Sequence, residues 1–269
     1  MKEIELVLFE HELEKVKFYA DAGITSFLID LEVIGKDARQ LGFDTEINPG
    51  TLEDLGLIHD SFPFKKWCRL NRFGEWTDSE IDRAISNGAD VLILPMVRNL
   101  HSVENFLRKI NSRCQACIMF ETRESVALAD SIKHLPVDYA YFGLNDYRID
   151  TGSNFLFQPI FDGTIEALRA GLPSIKFGFG GLTDMGKGFP VPSICILEEL
   201  ERLDCDFVFL RRSFKRDSLH RPAGEIVDGI LGSWTAKRLR SKEERARDHQ
   251  NLKSILGDIV QEMNTGNGN

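Results

Sequence analysis

The sequence predicts an α/β chain folded as a (β/α)8 TIM barrel with a C-terminal helical extension. Three observations carry that prediction: eight short apolar runs, longer amphipathic stretches between them, and a polar or special residue just past nearly every run. Short apolar runs alternating with helix-length amphipathic stretches imply parallel strands covered by helices, and eight strands close a barrel. The chain has 269 residues, and one such barrel needs about 250.

Taken in order, the apolar runs fall at 4–9, 26–30, 66–70, 91–94, 117–121, 139–142, 174–178 and 207–210. Helical stretches fall at 11–22, 78–87, 102–111, 125–134, 160–170 and 194–203. DAG at 21–23 and GAD at 88–90 read as helix ends turning into strands, where glycine supplies a left-handed cap. The alternative, an open doubly wound sheet, lacks the GxGxxG turn that would mark it. Past Leu210 the character changes. Residues 237–249 are almost entirely charged, and Leu252, Ile255, Leu256, Ile259, Val260 and Met263 then form one apolar stripe at helical spacing. That stripe either packs on its own barrel or docks on a neighbouring subunit. The expected organisation is a barrel over 1–220, a helical extension over 221–263 and a disordered tail over 264–269.

Composition narrows the function. Apolar residues at 42% and charged residues at 28% suit a soluble globular chain. No apolar run approaches the ~20 residues of a membrane helix. The opening MKEIELVLFEHELEKV alternates charge and apolarity unlike a signal peptide, so a cytoplasmic location is expected. A net charge of −9 argues against nucleic acid as a partner. The five cysteines (68, 114, 117, 195, 205) have no framework spacing, and the CxxC at 114–117 lacks a second pair or a nearby histidine for zinc.

In a parallel barrel the active site lies at the carboxyl ends of the strands. The residues standing there are Asp30 and Glu32, Arg69 and Asn71, Pro95, Glu121, Asn145 and Asp146, the glycine-rich FGFGGLTD at 177–184, and Arg211–Arg212. Glu121 ends IMFE, where burying a carboxylate is costly unless a metal or an arginine offsets it. Glu121 and Asp146 come from adjacent strands; with waters and substrate oxygens they would make an octahedral site of hard ligands, favouring Mg2+ or Mn2+ over zinc. Structural ion pairs are the other reading. Arg69 has the planar fork that binds a carboxylate with two bonds, and a salt bridge to Asp30 or Glu32 is its alternative. The glycines of 177–184 either bring backbone amides to an anion or serve a tight turn. Of Arg211 and Arg212, one is expected at the rim and the other on the outer layer. Of the six histidines (11, 59, 101, 134, 220, 249) most lie away from strand ends; His101 is the closest to the rim and is expected at a helix start, and neither a Ser-His-Asp set nor a P-loop is present. Lys176, within a strand, is not expected to be a buried neutral lysine.

Five segments, in this order and spacing, carry a resemblance: FLIDLEVIGKDARQ (27–40), CRLN (68–71), GADVLILPMV (88–97), IMFETRESV (118–126) and YFGLNDYRIDTG (141–152). Together they resemble the HpcH/HpaI aldolase and citrate lyase beta-subunit family, built on the phosphoenolpyruvate/pyruvate-type barrel, over roughly residues 20–215. The resemblance implies that Glu121 and Asp146 hold Mg2+, with Mn2+ as the other candidate. It implies that Arg69 holds the carboxylate and enolate oxygen of a 2-oxo acid or acyl thioester, with Asp30 at the site. The implied reaction makes or breaks a carbon–carbon bond through an enolate. It also implies a homo-oligomer, a trimer or hexamer that exchanges a C-terminal helix. The candidate set is therefore Arg69, Asp30 and Glu32 for catalysis and Glu121 and Asp146 for the metal. Arg69, Asn71, Pro95, Gly143, Asn145, Gly180 and Gly181 are the candidates around the substrate.

One departure matters. Pyruvate aldolases of that family carry a catalytic histidine directly after D-x-E, whereas here DLE is followed by Val33. Citrate-lyase-like members lack it too and have a lysine and an arginine downstream, matched here by Lys36 and Arg39. The sequence shows no basic cradle for the nucleotide tail of a thioester, and the general base is unassigned. A thioester hydrolase on the same site and a catalytically inactive carboxylate-binding barrel stand as alternatives.

Overall fold

The computed structural model describes residues 2–35 and 50–266. Lys36, Arg39 and residues 267–269 of the expected tail lie outside the described residues. Among the described residues, nine strands form a single parallel sheet: β1 (Glu5–Phe9), β2 (Ser26–Asp30), β3 (Lys65–Arg69), β4 (Val91–Leu94), β5 (Gln115–Phe120), β6 (Tyr139–Phe142), β7 (Lys176–Phe179), β8 (Gly181–Leu182) and β9 (Phe207–Leu210). Their order is β7-β6-β5-β4-β3-β2-β1-β9-β8. The seventh run, expected at 174–178, is realised as β7, and the stave continues beyond it as β8 after an interruption at Gly180, which adopts φ +66°. β7 pairs with β6 and β8 pairs with β9, so the two pieces act as one stave. The Asp206 amide donates to the Phe177 carbonyl at 2.8 Å and draws the ends of the sheet together. The result is a nearly closed barrel of eight staves.

Helices connect the staves: α1 (Leu13–Asp21), α2 (Leu52–Ser61), α3 (Thr77–Ser86), α4 (Leu100–Ile110), α5 (Arg123–Ala127), α6 (Ala129–Ile132), α7 (Leu144–Thr151), α8 (Gln158–Phe161), α9 (Thr164–Gly171), α10 (Ser193–Arg202) and α11 (Arg212–Asp217). The periodicity reading omitted α2, although Thr51 and Asp54 form a capping box at its start. The expected helix at 125–134 is instead the pair α5 and α6, broken at Leu128. Gly23 and Gly88 have φ of +99° and +87°, as the helix-end reading required.

Alternation along the strands sorts the core into two shells. Val7, Leu28, Trp67, Val91, Ile93, Cys117, Met119, Tyr139, Tyr141, Phe207 and Phe209 fill the inside of the barrel. Their neighbours, such as Leu8, Phe27, Cys68, Leu92, Ile118, Ala140 and Val208, face the helices. The amino-terminal end is closed by polar contacts: Lys65 Nζ reaches Tyr139 Oη at 2.6 Å and Glu5 Oε2 at 3.1 Å, and Trp67 Nε1 donates to Glu5 at 3.0 Å. Lys176 stands at this same end, exposed, with Nζ 3.3 Å from Tyr139 Oη. It is remote from the opposite rim.

After the barrel come α12 (Ala223–Lys237) and α13 (Lys242–Gly266). The stripe on α13 packs on its own barrel: Leu252 and Leu256 are fully buried, and Ile255, Ile259, Val260 and Met263 lie partly buried against the same core. Charged contacts hold α13 to α10. Glu201 accepts from Arg240 and Arg245, and Glu199 lies 3.0 Å from His249 Nδ1 while Arg202 donates to both its oxygens at 2.8 Å. Burial opposes ionisation of Glu199, yet Arg202 and His249 more than offset it and hold its pKa at about 2. A carboxylate held below its usual value of 4.5 adds stability above that value and loses it as the pH falls towards the depressed one. Glu199→Gln should therefore cost roughly 2–3 kcal/mol near neutral pH and make urea unfolding midpoints fall less steeply than wild type between about pH 5 and about pH 3. Parallel pH profiles for the two proteins would remove Glu199 from this role.

Candidate active site

The alternation that fills the barrel also selects the residues at its rim. Two positions beyond Val7, Leu28, Trp67, Met119, Tyr141 and Phe209 stand Phe9, Asp30, Arg69, Glu121, Gly143 and Arg211. All six line one cavity of about 660 Å³ at the carboxyl ends of the staves. Asn145, Asp146, Gly180, Gly181, Arg212, Ser213 and Arg216 contribute to the same wall. Its volume falls within the range of pockets that take drug-sized ligands.

Arg69 and Asp30 meet on the floor of this cavity, both buried. Nε of Arg69 donates to Asp30 Oδ1 at 2.9 Å and Nη2 to Oδ2 at 2.7 Å, a two-pronged pair, while Glu32 Oε2 lies 3.5 Å from Nε. Burial disfavours the guanidinium charge, but Asp30 and Glu32 outweigh that and raise its pKa further. The salt-bridge reading of Arg69 is thus realised. Nη1 takes no part in the pair, so the fork retains donors towards the cavity while Asp30 fixes its plane.

Glu121 stands one residue past β5 and is fully buried. Its Oε1 accepts the Met96 amide at 2.8 Å, an amide presented by a left-handed Met96 with φ 53°. Its Oε2 has no hydrogen-bond partner among the described residues. Room for that oxygen comes from Gly143, where a Cβ would lie 2.7 Å from Oε2 and 3.0 Å from the Glu121 Cβ. Gly143 also precedes α7, whose first turn carries the buried Asp146. Burial, then the charges of Asp146 and Glu32, push the Glu121 pKa up to about 8 against the pull of Arg69 and the Met96 amide. An ionised carboxylate is costly in such a place unless a cation joins it.

Those features fit a hard divalent ion: an unsatisfied buried oxygen, space that a Cβ would fill, a second carboxylate close enough to be felt, and no His, Cys or Lys among the described residues that line the cavity. No group of three or more His, Cys, Asp or Glu that could hold a metal ion occurs among the described residues. All five cysteines are free thiols.

Not every sequence candidate reaches the cavity. Asn71 is withdrawn from it: Oδ1 accepts the amides of Val33 and Ile34 at 2.8 and 2.7 Å, and Nδ2 donates to Leu31 O and Glu80. It holds the segment after β2 in place. Pro95 is buried outside the lining, although its inward register matches that of the six rim residues. Glu32 acts on the site through Arg69 rather than by lining it. Val33 is 57% exposed, so the position of the aldolases' histidine points away from the cavity. Arg211 and Arg212 both line the wall, which corrects the expectation that one faces outwards. Phe9, Tyr141, Phe209, Ser213 and Arg216 were not anticipated; strand register would have found Phe9, whereas the Met96 amide left no trace in the sequence.

By sequence the chain matches no family model and no curated protein. By fold it is similar to 3-hexulose-6-phosphate synthase from Salmonella typhimurium, with a TM-score of 0.61 and 14% identity over 87% of this chain and 100% of that one. RipC from Yersinia pestis aligns with a TM-score of 0.52 and 16% identity over 90% and 97%. Protein CitE from Mycobacterium tuberculosis, whose structure is a complex with magnesium and pyruvate, aligns with a TM-score of 0.55 and 13% identity over 93% and 98%. Identities this low show the barrel fold.

Gly143→Ala should force Glu121 aside while leaving the helix start intact. Mg2+ affinity, read by titration calorimetry, should fall on the order of 10- to 100-fold, the scale seen when the surroundings of a metal ligand are disturbed. Undiminished affinity would show that Glu121 Oε2 is not a ligand.

Proposed function

We propose that the chain is a Mg2+-dependent carbon–carbon lyase or aldolase of the HpcH/HpaI and citrate lyase beta-subunit type, acting on a 2-oxo acid or acyl thioester. The observation that carries this reading is the unsatisfied, fully buried Oε2 of Glu121, facing the same cavity as Asp146 and the Arg69 fork. The magnesium and pyruvate bound by the CitE neighbour support the ion and the substrate class. Mn2+ would suit the same donors.

Held by Glu121 and Asp146, the ion would supply Lewis acidity that lowers the cost of negative charge on the substrate's oxo oxygen. The protein's own contributions are three. Arg69, its plane fixed by Asp30, presents Nη1 to the carboxylate or enolate oxygen as carbon–carbon cleavage delivers charge there. The Met96 amide fixes one oxygen of Glu121, so the other is oriented before any ligand arrives. Phe9, Tyr141, Leu156, Phe157 and Phe209 give the cavity an apolar wall that keeps water from the reacting carbon. Among the described residues no lysine or histidine lines the cavity, so none of these offers a Schiff-base amine or the histidine base of the pyruvate aldolases.

Pyruvate with Mg2+ in D2O tests this. Deuterium should enter the methyl group, and Glu121→Gln or Asp146→Asn should slow it on the order of 100-fold or more without loss of fold. Arg69→Lys should raise KM on the order of 10-fold, because an ammonium cannot reproduce the fork. Full exchange by either carboxylate variant would end the assignment. Saturable pyruvate binding without exchange would instead indicate the inactive carboxylate-binding barrel, and thiol release without carbon–carbon cleavage the hydrolase.

A further inference from the structure

Glu121 and Asp146 reach the cavity from different segments, and their charges repel: Asp146 is among the causes that raise the Glu121 pKa. Glu121 continues a strand, whereas Asp146 rides on α7, a helix of eight residues. So short a helix has little stability of its own and is placed by what it packs on. Asp150 lies four positions beyond Asp146, on the same side of α7 but outside the cavity lining.

The Asp150 side chain is only 10% exposed and bridges the two neighbouring rims. Its Oδ2 accepts the Arg123 amide at 2.9 Å, at the start of α5 and just past Glu121. Its Oδ1 accepts Arg98 Nη2 at 2.6 Å, just past Met96, whose amide holds Glu121. The Asp150 carbonyl accepts Arg123 Nη2 at 3.2 Å, and Arg98 Nη1 donates to both oxygens of Glu124 at 2.8 Å. Between these points the buried Thr122 hydroxyl donates to the Val97 carbonyl. The segments after β4, β5 and β6 are thereby tied together just outside the cavity. The parts of this network are unequal. Arg98 and Glu124 are each about half exposed, and an exposed ion pair contributes little in water. Asp150, nearly buried and engaged by a main-chain amide as well as a guanidinium, makes charge-assisted bonds that solvent screens less.

We propose that Asp150, held by Arg98 and the Arg123 amide, is a positioning residue that keeps Asp146 beside Glu121 before a cation arrives. The inference rests on the reading of Glu121 and Asp146 as the Mg2+ ligands. Asp150 touches neither ion nor substrate. It offsets the repulsion between two carboxylates that ion binding would otherwise have to overcome alone. Its loss therefore raises the Mg2+ concentration the protein needs and leaves the rate at saturation close to wild type, because a bound ion draws Asp146 back.

Mg2+ is titrated by calorimetry into wild type, Asp150→Asn, Arg98→Gln and the double variant. Arg113→Gln, which breaks an exposed pair with Asp82 near the amino end of β5, is the control. Affinity should fall on the order of 10-fold in each single variant and little further in the double one, since both act through one contact. The control should match wild type. In the metal-free proteins the amides of 144–151 should exchange with solvent faster in Asp150→Asn than in wild type, and saturating Mg2+ should restore both their protection and the rate of deuterium entry into pyruvate. Wild-type Mg2+ affinity in both single variants overturns the positioning role and leaves the ligand assignment standing. So does amide exchange no faster than wild type, or a loss that saturating Mg2+ fails to restore. A wild-type protein that binds no Mg2+ overturns the ligand assignment itself, and this inference with it.

Discussion

The two-residue alternation of the strands is the constraint on which the molecule rests. Each stave gives its inward side chains to the barrel core, and the next inward position, one step past the last filled layer, emerges at the rim. Trp67 packs the core, and Arg69 is its continuation; Met119 leads in the same way to Glu121, and Tyr141 to Gly143. Slipping one stave by a single residue would bury the chemistry among the helices and expose the core. Stability and site are therefore set by the same register.

Electrostatics at the rim follow from that placement. Asp30, Glu32, Glu121 and Asp146 come together near Arg69, which Asp30 engages with both oxygens. Burial and the charges of Asp146 and Glu32 fall hardest on Glu121, whose pKa of about 8 expresses how poorly its surroundings tolerate its charge.

Much of this was readable in the amino-acid order. The alternation of apolar runs and amphipathic stretches predicted the barrel, and the acidic residues after the fifth and sixth runs were visible because an apolar strand rarely ends in a carboxylate without a reason. The division of the seventh stave was not visible, because FGFGG is compatible with either a continuous strand or one broken at Gly180. Asn71 shows a different limit. Its place after a strand resembled that of a ligand-binding residue, but its amide satisfies the backbone of Val33 and Ile34, a contact spanning 38 and 37 positions that no local pattern records. Arg211 and Arg212 were separated by the same alternation that governs the strands, yet α11 starts at Arg212 and its turn brings the second arginine back to the wall.

The left-handed Met96 has a consequence for how freely this site can vary. The group that orients Glu121 is a peptide N–H, supplied by the shape of the chain rather than by the chemistry of a side chain. Replacing the thioether leaves that donor in place, provided the newcomer accepts a positive φ: asparagine, aspartate or glycine would inherit the contact, and valine or isoleucine would break it. Position 96 can thus drift among unlike residues and still deliver the same hydrogen bond, while β-branched apolar residues fail.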